Sequence, residues 1–539
     1  MNCKKLLALL LAALLTMALL AGCGPNAGEA TTPSESQAPS ETAGGETAPT
    51  SERTHVKNLV VGITGSNDTF NLVPQSGAFG RMNYNNVANA YFAYTNGDNE
   101  IKPYFLTSYE ISEDGTELAI TFPLDKVWHD GQPVTAEDVQ FSFEYYRDVS
   151  KNSYIKSLEH IEVTGENSMT LKFSKADAYS YMANGATSQS VLPKHIWENV
   201  DDPNAYTGEG YLTGSGAYAC TDYDGATGSY EFTAFDGWCN GEQAAEKIQF
   251  VPVSDPLLAF ESGEIDITSL PADLMDAYLN DPSIGVVEKA NDMGYKLLIN
   301  YERCPDFLEL ALRQGVYAAI DRQSVVDSVF RGAGTVGSAG YVPQGSLYYN
   351  ENVAQYPYDP EAARAVFAGK GYSVTLLCGD DGDDLAIAEI IRNGLTAAGI
   401  EVAVEAHDSA TRDGRINSGD YEFALVGNGG WGNNPPTYMR TLFSDESKFS
   451  GTNPHSMGAI GYSNAEMTAL AEGQVYETDF DKRVELFQEL ELLVSREIPI
   501  IVIANQSSYS MYRKDVYDGW MKTYAYQQAE QNRLSYMAR

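Results

Sequence analysis

Apolar and polar positions alternate along residues 117–124, with Leu118, Ile120, Phe122 and Leu124 on one side, and the period of two predicts a half-buried strand. Asp130-Gly131 and Pro133 then predict turns. Thr135 stands where a helix N-cap is expected, and Asp138, three residues on, can answer it as a capping box. Val139, Ser142, Phe143 and Tyr146 follow at helical spacing as the inward stripe. A strand–turn–helix corner is therefore predicted over 117–146.

The same reading applies to the rest of the chain. Leu59 to Ile63 is a buried-strand run, followed by a polar loop, Thr64 to Phe70, holding Ser66 and Asn67. A first strand that ends in small polar residues suits a ligand-facing loop. Ser168 to Phe173 reads as a strand, 217–223 and 229–235 as a hairpin, and Lys247 to Val253 as a strand. Asp255 and Pro256 open a short helix. Gly294 to Tyr301 reads as a strand crossing into a second lobe, with Asn300 and Tyr301 as cleft candidates. A helix is expected over 308–331, with Leu312, Val316, Ala319 and Ile320 inward. Strand 374–378, helix 385–398 and strand 400–404 form a βαβ unit, with Leu385, Ala388, Ile391 and Leu395 packed and four aspartates at the helix start. Tyr421 to Val426 is a strand, helices start at Ala465 and Phe480, and strand 497–504 returns to the first lobe. Such alternation argues for an α/β protein with parallel strands.

Composition then narrows the class. A chain of 539 residues, 43% apolar, is too long for one core. A net charge of −39 opposes nucleic acid and anionic lipid as partners. Lys4 and Lys5 precede an apolar run from Leu6 to Leu20, which reads as a signal peptide over 1–22. Leu20-Ala21-Gly22-Cys23 resembles a bacterial lipobox, which implies acylation of Cys23. Residues 23–54, rich in Gly, Pro, Ser, Thr and Glu, read as a flexible tether. Cys220 and Cys239 could form a disulfide in such a compartment, but small buried side chains are the plainer expectation.

Catalytic signatures are scarce. None of the six histidines pairs at i, i+4, and no Gly-x-Ser-x-Gly elbow occurs. Gly332 to Gly337 satisfies Gly-x-Gly-x-x-Gly, but it follows a helix and precedes a loop, so no dinucleotide site is expected. No enzyme, cofactor or metal site is expected. The loop Gly427 to Pro435 is the richest candidate. Asn428, Gly430, Asn433 and Asn434 would let backbone and amide groups approach a ligand, and Trp431 would supply a flat apolar wall. Arg412 and Arg415 precede the strand at Tyr421, beside Asn417 and Asp420, which fit a surface turn as well as a site.

Several boxes in order carry a family resemblance. They are Trp-x-Asp-Gly-x-Pro-x-Thr-Ala-Glu-Asp-Val at 128–139, Leu-Pro-Lys-His at 192–195, Gly-Ser-Gly-Ala-Tyr at 214–218, Gly-Glu-Ile-Asp at 263–266 and Ala-Ile-Asp-Arg at 319–322. The chain resembles the extracellular solute-binding proteins of the peptide/nickel family, which serve ABC importers. The resemblance implies a two-lobed, periplasmic-binding-protein-like α/β fold joined by a two-strand hinge. Lobe one would hold 55–95, 207–297 and 505–539, an accessory α/β subdomain 96–206, and lobe two 298–504. It implies a monomer that captures a peptide, or another small solute such as an oligosaccharide or nickel chelate, and delivers it to a permease with its ATPases at the outer face of the cell membrane. It also implies that an arginine of lobe two, Arg412 or Arg415, holds a ligand carboxylate or metallophore. In peptide-binding relatives an aspartate just after the loop Trp grips the ligand's ammonium. Here Asn433 or Asn434 stands in that place, and a neutral amide cannot supply a charge-assisted bond.

Overall fold

The computed structural model describes residues 56–63, 87–96, 100–152, 154–203, 206, 210–224, 226–237, 242–346, 348–427, 435–446 and 458–520. Cys23, the leader and tether, Ser66, Asn67, Cys239 and residues 428–434, with Asn428, Gly430, Trp431, Asn433 and Asn434, lie outside the described residues.

Strand β1 (Val56–Ile63) is followed by the pair β2 (Ala93–Thr95) and β3 (Ile101–Pro103). Then come β4 (Ser108–Ile111), β5 (Glu117–Thr121), helix α1 (Ala136–Asp148), β6 (Leu158–Gly165) and β7 (Ser168–Phe173). Strands β8 (Tyr218–Asp224), β9 (Ser229–Ala234) and β10 (Ala245–Pro252), helix α2 (Pro256–Ser262) and β11 (Ile267–Ser269) complete the first half. The long β12 (Ile284–Ile299) leads to α3 (Leu310–Ala319), β13 (Gly334–Val336), α4 (Pro360–Phe367), β14 (Ser373–Gly379), α5 (Gly382–Ala398) and β15 (Glu401–His407). After these come α6 (Ser409–Asn417), β16 (Phe423–Gly427), α7 (Pro435–Phe443), α8 (Ala465–Tyr476), α9 (Phe480–Glu497) and the returning β17 (Ile501–Arg513).

One sheet runs β15-β14-β16-β12-β17-β11-β1-β10-β9-β8, with β13 added to β17. A second sheet, β4-β5-β7-β6, packs with α1. Pairing is parallel where helices intervene (β14 with β15 and β16, β1 with β10 and β11) and antiparallel between β12 and β17. The molecule is a two-lobed α/β protein. One apolar core is drawn from Leu59 to Ile267 with Tyr512, Tyr517 and Trp520; a second is drawn from Leu297 to Ala504. The long β12 and β17 belong to both, which makes them the crossing strands.

The predicted corner is one hub. Thr135 caps α1, and the capping box with Asp138 is complete. Asp138 is buried, and its carboxylate accepts from the Thr135 N–H at 2.8 Å, the Thr135 hydroxyl at 2.7 Å and the Lys194 N–H at 2.8 Å. Ser142 donates to the Asp138 carbonyl at 2.6 Å and accepts from Leu192 N–H at 2.8 Å. His129 accepts the Gly214 N–H on Nδ1 at 3.2 Å, so Nε2 carries the proton and donates it to the Gly216 carbonyl at 3.1 Å. Burial pushes this imidazole down to about 4. Gly216 must be glycine: a Cβ there would lie 2.5 Å from the Ala88 carbonyl carbon. Three separated sequence boxes thus lock together by hydrogen bonds.

Four expectations are corrected. Strand β5 stops at Thr121, and Leu124 is exposed because the chain turns before reaching it. His195, from the Leu-Pro-Lys-His box, sits at the surface with Nε2 2.9 Å from Asp130. The expected helix 308–331 breaks at Ile320, where the Asp321 side chain caps a new start by accepting from Ser324 N–H. Leu385 is exposed, whereas Ala388, Ile391 and Leu395 are buried as expected and Asp384 and Ile387 complete their stripe behind the Asp381 cap. Glu497 ends α9; the following strand begins at Ile501 after Ile498 turns into the left-handed region.

Candidate functional site

The crossing strands meet in a ladder from Ile284 opposite Arg513 to Leu297 opposite Ile501, with register shifts between Lys289 and Met293 and between Tyr295 and Lys296. Such irregularities bend and twist a strand pair, which suits a place where one lobe turns against the other. On the lobe-two side, Gly427 at the end of β16 pairs with Tyr295. Gly427 is the last residue of β16, and α7 begins at Pro435. In open α/β sheets, ligands gather outside the carboxyl ends of parallel strands, and β14 and β16 end here.

The glycine motif serves this crossing. Residues 334–336 form β13 on the edge of β17. A Cβ at Gly334 would lie 2.4 Å from the Asn505 carbonyl oxygen, and one at Gly337 would lie 2.5 Å from Val502, so the glycines allow close strand approach. Arg322, from the Ala-Ile-Asp-Arg box, pins the end of this strand by donating to the Gly337 carbonyl at 2.7 Å and the Tyr356 carbonyl at 2.6 Å.

Four predicted site residues are placed elsewhere. Tyr301 is buried in the lobe-two core, its hydroxyl donating to the Pro499 carbonyl at 2.8 Å. Asn300 is buried too; its amide donates to the Gly419 carbonyl at 3.1 Å and accepts from Glu302 N–H at 3.1 Å, which closes the turn after β12. Both were expected at the cleft, but their polar atoms are spent on neighbouring backbone. Arg415 lies on α6 and pairs with Glu405 at 2.7 Å and Asp420 at 3.1 Å, so its guanidinium is a surface cluster member. Arg412 is likewise held, by Asp384 at 2.8 Å and Asp413 at 3.0 Å.

Two residues near the crossing were passed over by pattern reading. Lys296 is 1% exposed, and its ammonium donates one hydrogen bond, to the Tyr341 hydroxyl at 3.0 Å. The rings of Tyr341 and Tyr438 lie 5.7 and 6.0 Å from it. Burial pushes the ammonium down to about 7. Asn505 on β17 is fully buried, and both polar atoms of its amide lack a partner among the described residues. A lysine inside an apolar strand (Tyr295 to Ile299) was the available signal for the first.

Elsewhere, the lobes also touch where Arg483 stacks on the Tyr179 ring at 3.6 Å and Lys175 donates to the Tyr476 hydroxyl at 2.6 Å. A cavity of 320 Å³ beside this contact is lined by Glu100, Tyr109, Tyr179, Phe480 and Arg483. Among the described residues, no three His, Cys, Asp or Glu side chains gather as metal ligands, and no helix is long and apolar enough to cross a membrane.

Comparison with known proteins closes this description. Residues 100–450 match the family described as bacterial extracellular solute-binding proteins, family 5. The chain is 25% identical over 459 residues to a dipeptide-binding protein of Escherichia coli K12, covering 78% of this chain and 84% of the relative. It is 23% identical over 463 residues to heme-binding protein A of Haemophilus influenzae, covering 79% and 82%. The fold superposes on the oligopeptide-binding protein AppA of Bacillus subtilis, solved with a nonapeptide, with a TM-score of 0.69, 19% identity and coverage of 86% and 95%.

Proposed function

The chain belongs to the bacterial extracellular solute-binding proteins of family 5, and on that premise we propose that it captures a short peptide outside the cell and hands it to an ABC permease. The observation that carries this reading is the pair of crossing strands between two separate cores. Two lobes joined this way close on a solute, which selects the closed form through its higher affinity for it. No bond is made or broken, and the protein is a carrier, not an enzyme. The closed form docks on the permease, whose partner ATPases drive uptake.

In this reading residues 428–434 contribute to the site, with Trp431 as the apolar wall and Asn433 or Asn434 in the place where peptide-binding relatives hold an aspartate; Ser66 and Asn67 face the solute from lobe one. Cys23 is acylated after removal of 1–22, and 23–54 tether a monomer to the outer face of the membrane. Replacing Cys23 with serine should release the protein into the medium; continued membrane association would refute the anchor.

A thermal-shift screen tests the solute. A ligand at about a hundredfold excess over its Kd stabilises the folded state by about 2.7 kcal/mol. Di- to pentapeptides should raise the melting temperature. If they do not, while an oligosaccharide or nickel–histidine does, the peptide reading is wrong. Trp431→Ala should weaken the retained ligand more than about tenfold in calorimetry with an unchanged melt; equal affinity removes the loop from the site.

A further inference from the structure

Apart from Lys296, the buried cations among the described residues donate to backbone carbonyls, although the Arg483 Nε finds no partner. Arg313 donates to the Glu497, Phe307 and Leu308 carbonyls and pairs with the Glu497 carboxylate at 3.4 Å. Arg322 holds two carbonyls, and Arg483 donates to the Glu477 carbonyl. Lys296 differs. An ammonium has three donors, and among the described residues this one uses a single donor, on Tyr341. Among the described residues no carboxylate faces it: the groups against it are the ring and hydroxyl of Tyr341, from the loop after β13, and the ring of Tyr438, from α7. In a chain of net charge −39 a carboxylate partner was amply available. A buried charge without one is costly.

The second observation is independent and lies on the same face. Gly294 pairs with Asn505 across the crossing strands, and a Cβ at Gly294 would lie 2.8 Å from Asn505 Oδ1, so the amide leans over the glycine. Gly294 and Lys296 are alternate residues of β12 and share that face. The regular pairing of β12 with β16 through Tyr295 and Lys296 keeps the alternation intact. The orphan amide and the under-bonded ammonium are thus near neighbours on one face, with no side chain at Gly294 between them. That face borders Gly427 and α7, the two ends of the chain that bracket 428–434.

We propose that Lys296 and Asn505 form a subsite for a carboxylate of the captured solute, with the ammonium and the amide N–H donating to its two oxygens. This rests on the solute-capture reading and adds the solute's chemistry: it carries a free carboxylate, from a peptide C-terminus or from a non-peptide acid. The bound carboxylate supplies the missing counter-charge and fixes the solute's orientation against the crossing strands. It also compensates for Asn433 or Asn434 standing where relatives keep an ammonium-gripping aspartate, because the acidic end of the solute becomes the anchored end.

The test uses the full chain and three probes: a tri- to pentapeptide pool with free C-termini, the same pool amidated, and a set of non-peptide carboxylic acids with their methyl esters. Calorimetry should show the free-acid pool binding about ten- to a hundredfold tighter than the amidated pool, the range of a charge-assisted hydrogen bond. Lys296→Met should erase that preference and leave the amidated pool's affinity unchanged, while Asn505→Ala reduces the preference by a smaller factor. A preference that survives in Lys296→Met, or that is absent from the unaltered protein, overturns the subsite. If neither peptide pool binds, the peptide reading falls, and the acids against their esters decide the subsite by the same criterion. Should Lys296→Met fail to fold, NMR titration of the lysine in the unaltered protein replaces it: the bound acid should raise the ammonium's titration point, and an unmoved titration overturns the proposal.

Discussion

The corner at Asp138 and the crossing at Lys296 both bury a charged group, and they treat it in opposite ways. Asp138 receives three hydrogen bonds, two from Thr135 and one from Lys194, and all of them come from residues that the fold holds rigid. Lys296 donates one, to a phenol, and among the described residues the side chain of its neighbour Asn505 makes none. A buried polar group that is fully bonded fixes a structure, and one left short of partners costs stability unless something else arrives to bond it. The first kind is scaffold. The second kind, at the place where two lobes meet, is where a solute can be held.

Several measurements would break or sharpen that contrast, and the largest effect belongs to the corner. Asp138→Ala leaves two backbone N–H groups and a hydroxyl unpaired, and chemical denaturation should show a loss of about 4 kcal/mol. A loss under about 1 kcal/mol would mean that the hub is not scaffold. His129 tests the same region through pH. Its folded form stays neutral down to about 4, while the unfolded chain takes a proton near the ordinary 6.5. The unfolded state therefore binds more protons in that window, and stability present above 6.5 is lost as pH falls toward 4, by about 3 kcal/mol. His129→Gln, which can keep both hydrogen bonds, should flatten that slope in melts between pH 4 and 7.

Glu491 sharpens the other side of the contrast. It is buried in lobe two, among the described residues neither carboxyl oxygen has a well-formed hydrogen bond, and burial, only weakly opposed by the Asn350 backbone, pushes it up to about 9. It therefore answers its missing partners by keeping a proton. Folded Glu491 holds that proton while the unfolded chain releases it above about 4.5, so stability is full at low pH and falls as pH rises toward 9. Glu491→Gln should raise stability at pH 8 by about 2 kcal/mol and change nothing at pH 4. Equal melting temperatures at pH 8 would show that the carboxyl is bonded after all. The smallest effect is at Leu385, exposed despite its apolar type: Leu385→Gln should stay within about 0.5 kcal/mol in the same assay.

Legibility in the sequence followed the range of the forces involved. The corner was readable because a capping box, a turn and a helical stripe are local, and each depends on residues within a few positions of one another. The same locality explains a failure: the break at Ile320 depends on where a cap falls, and Asp321 outweighed the apolar period, while on α5 only Leu385 lies outside the buried stripe. Tyr301 and Asn300 were read as cleft residues from their strand, yet their partners are Pro499 and Gly419, far away in the chain and invisible to any pattern.

By itself the sequence determined the α/β alternation, the boxes that mark the family and the local caps and turns, since hydrophobic period and turn chemistry act over a few residues. Beyond those local caps, tertiary structure decided which buried polar groups are satisfied. Asp138 and Lys296 each lie within an apolar-periodic segment; Thr135 gives the first two donors locally and packing adds a third from Lys194, whereas packing leaves the second with a single acceptor, Tyr341.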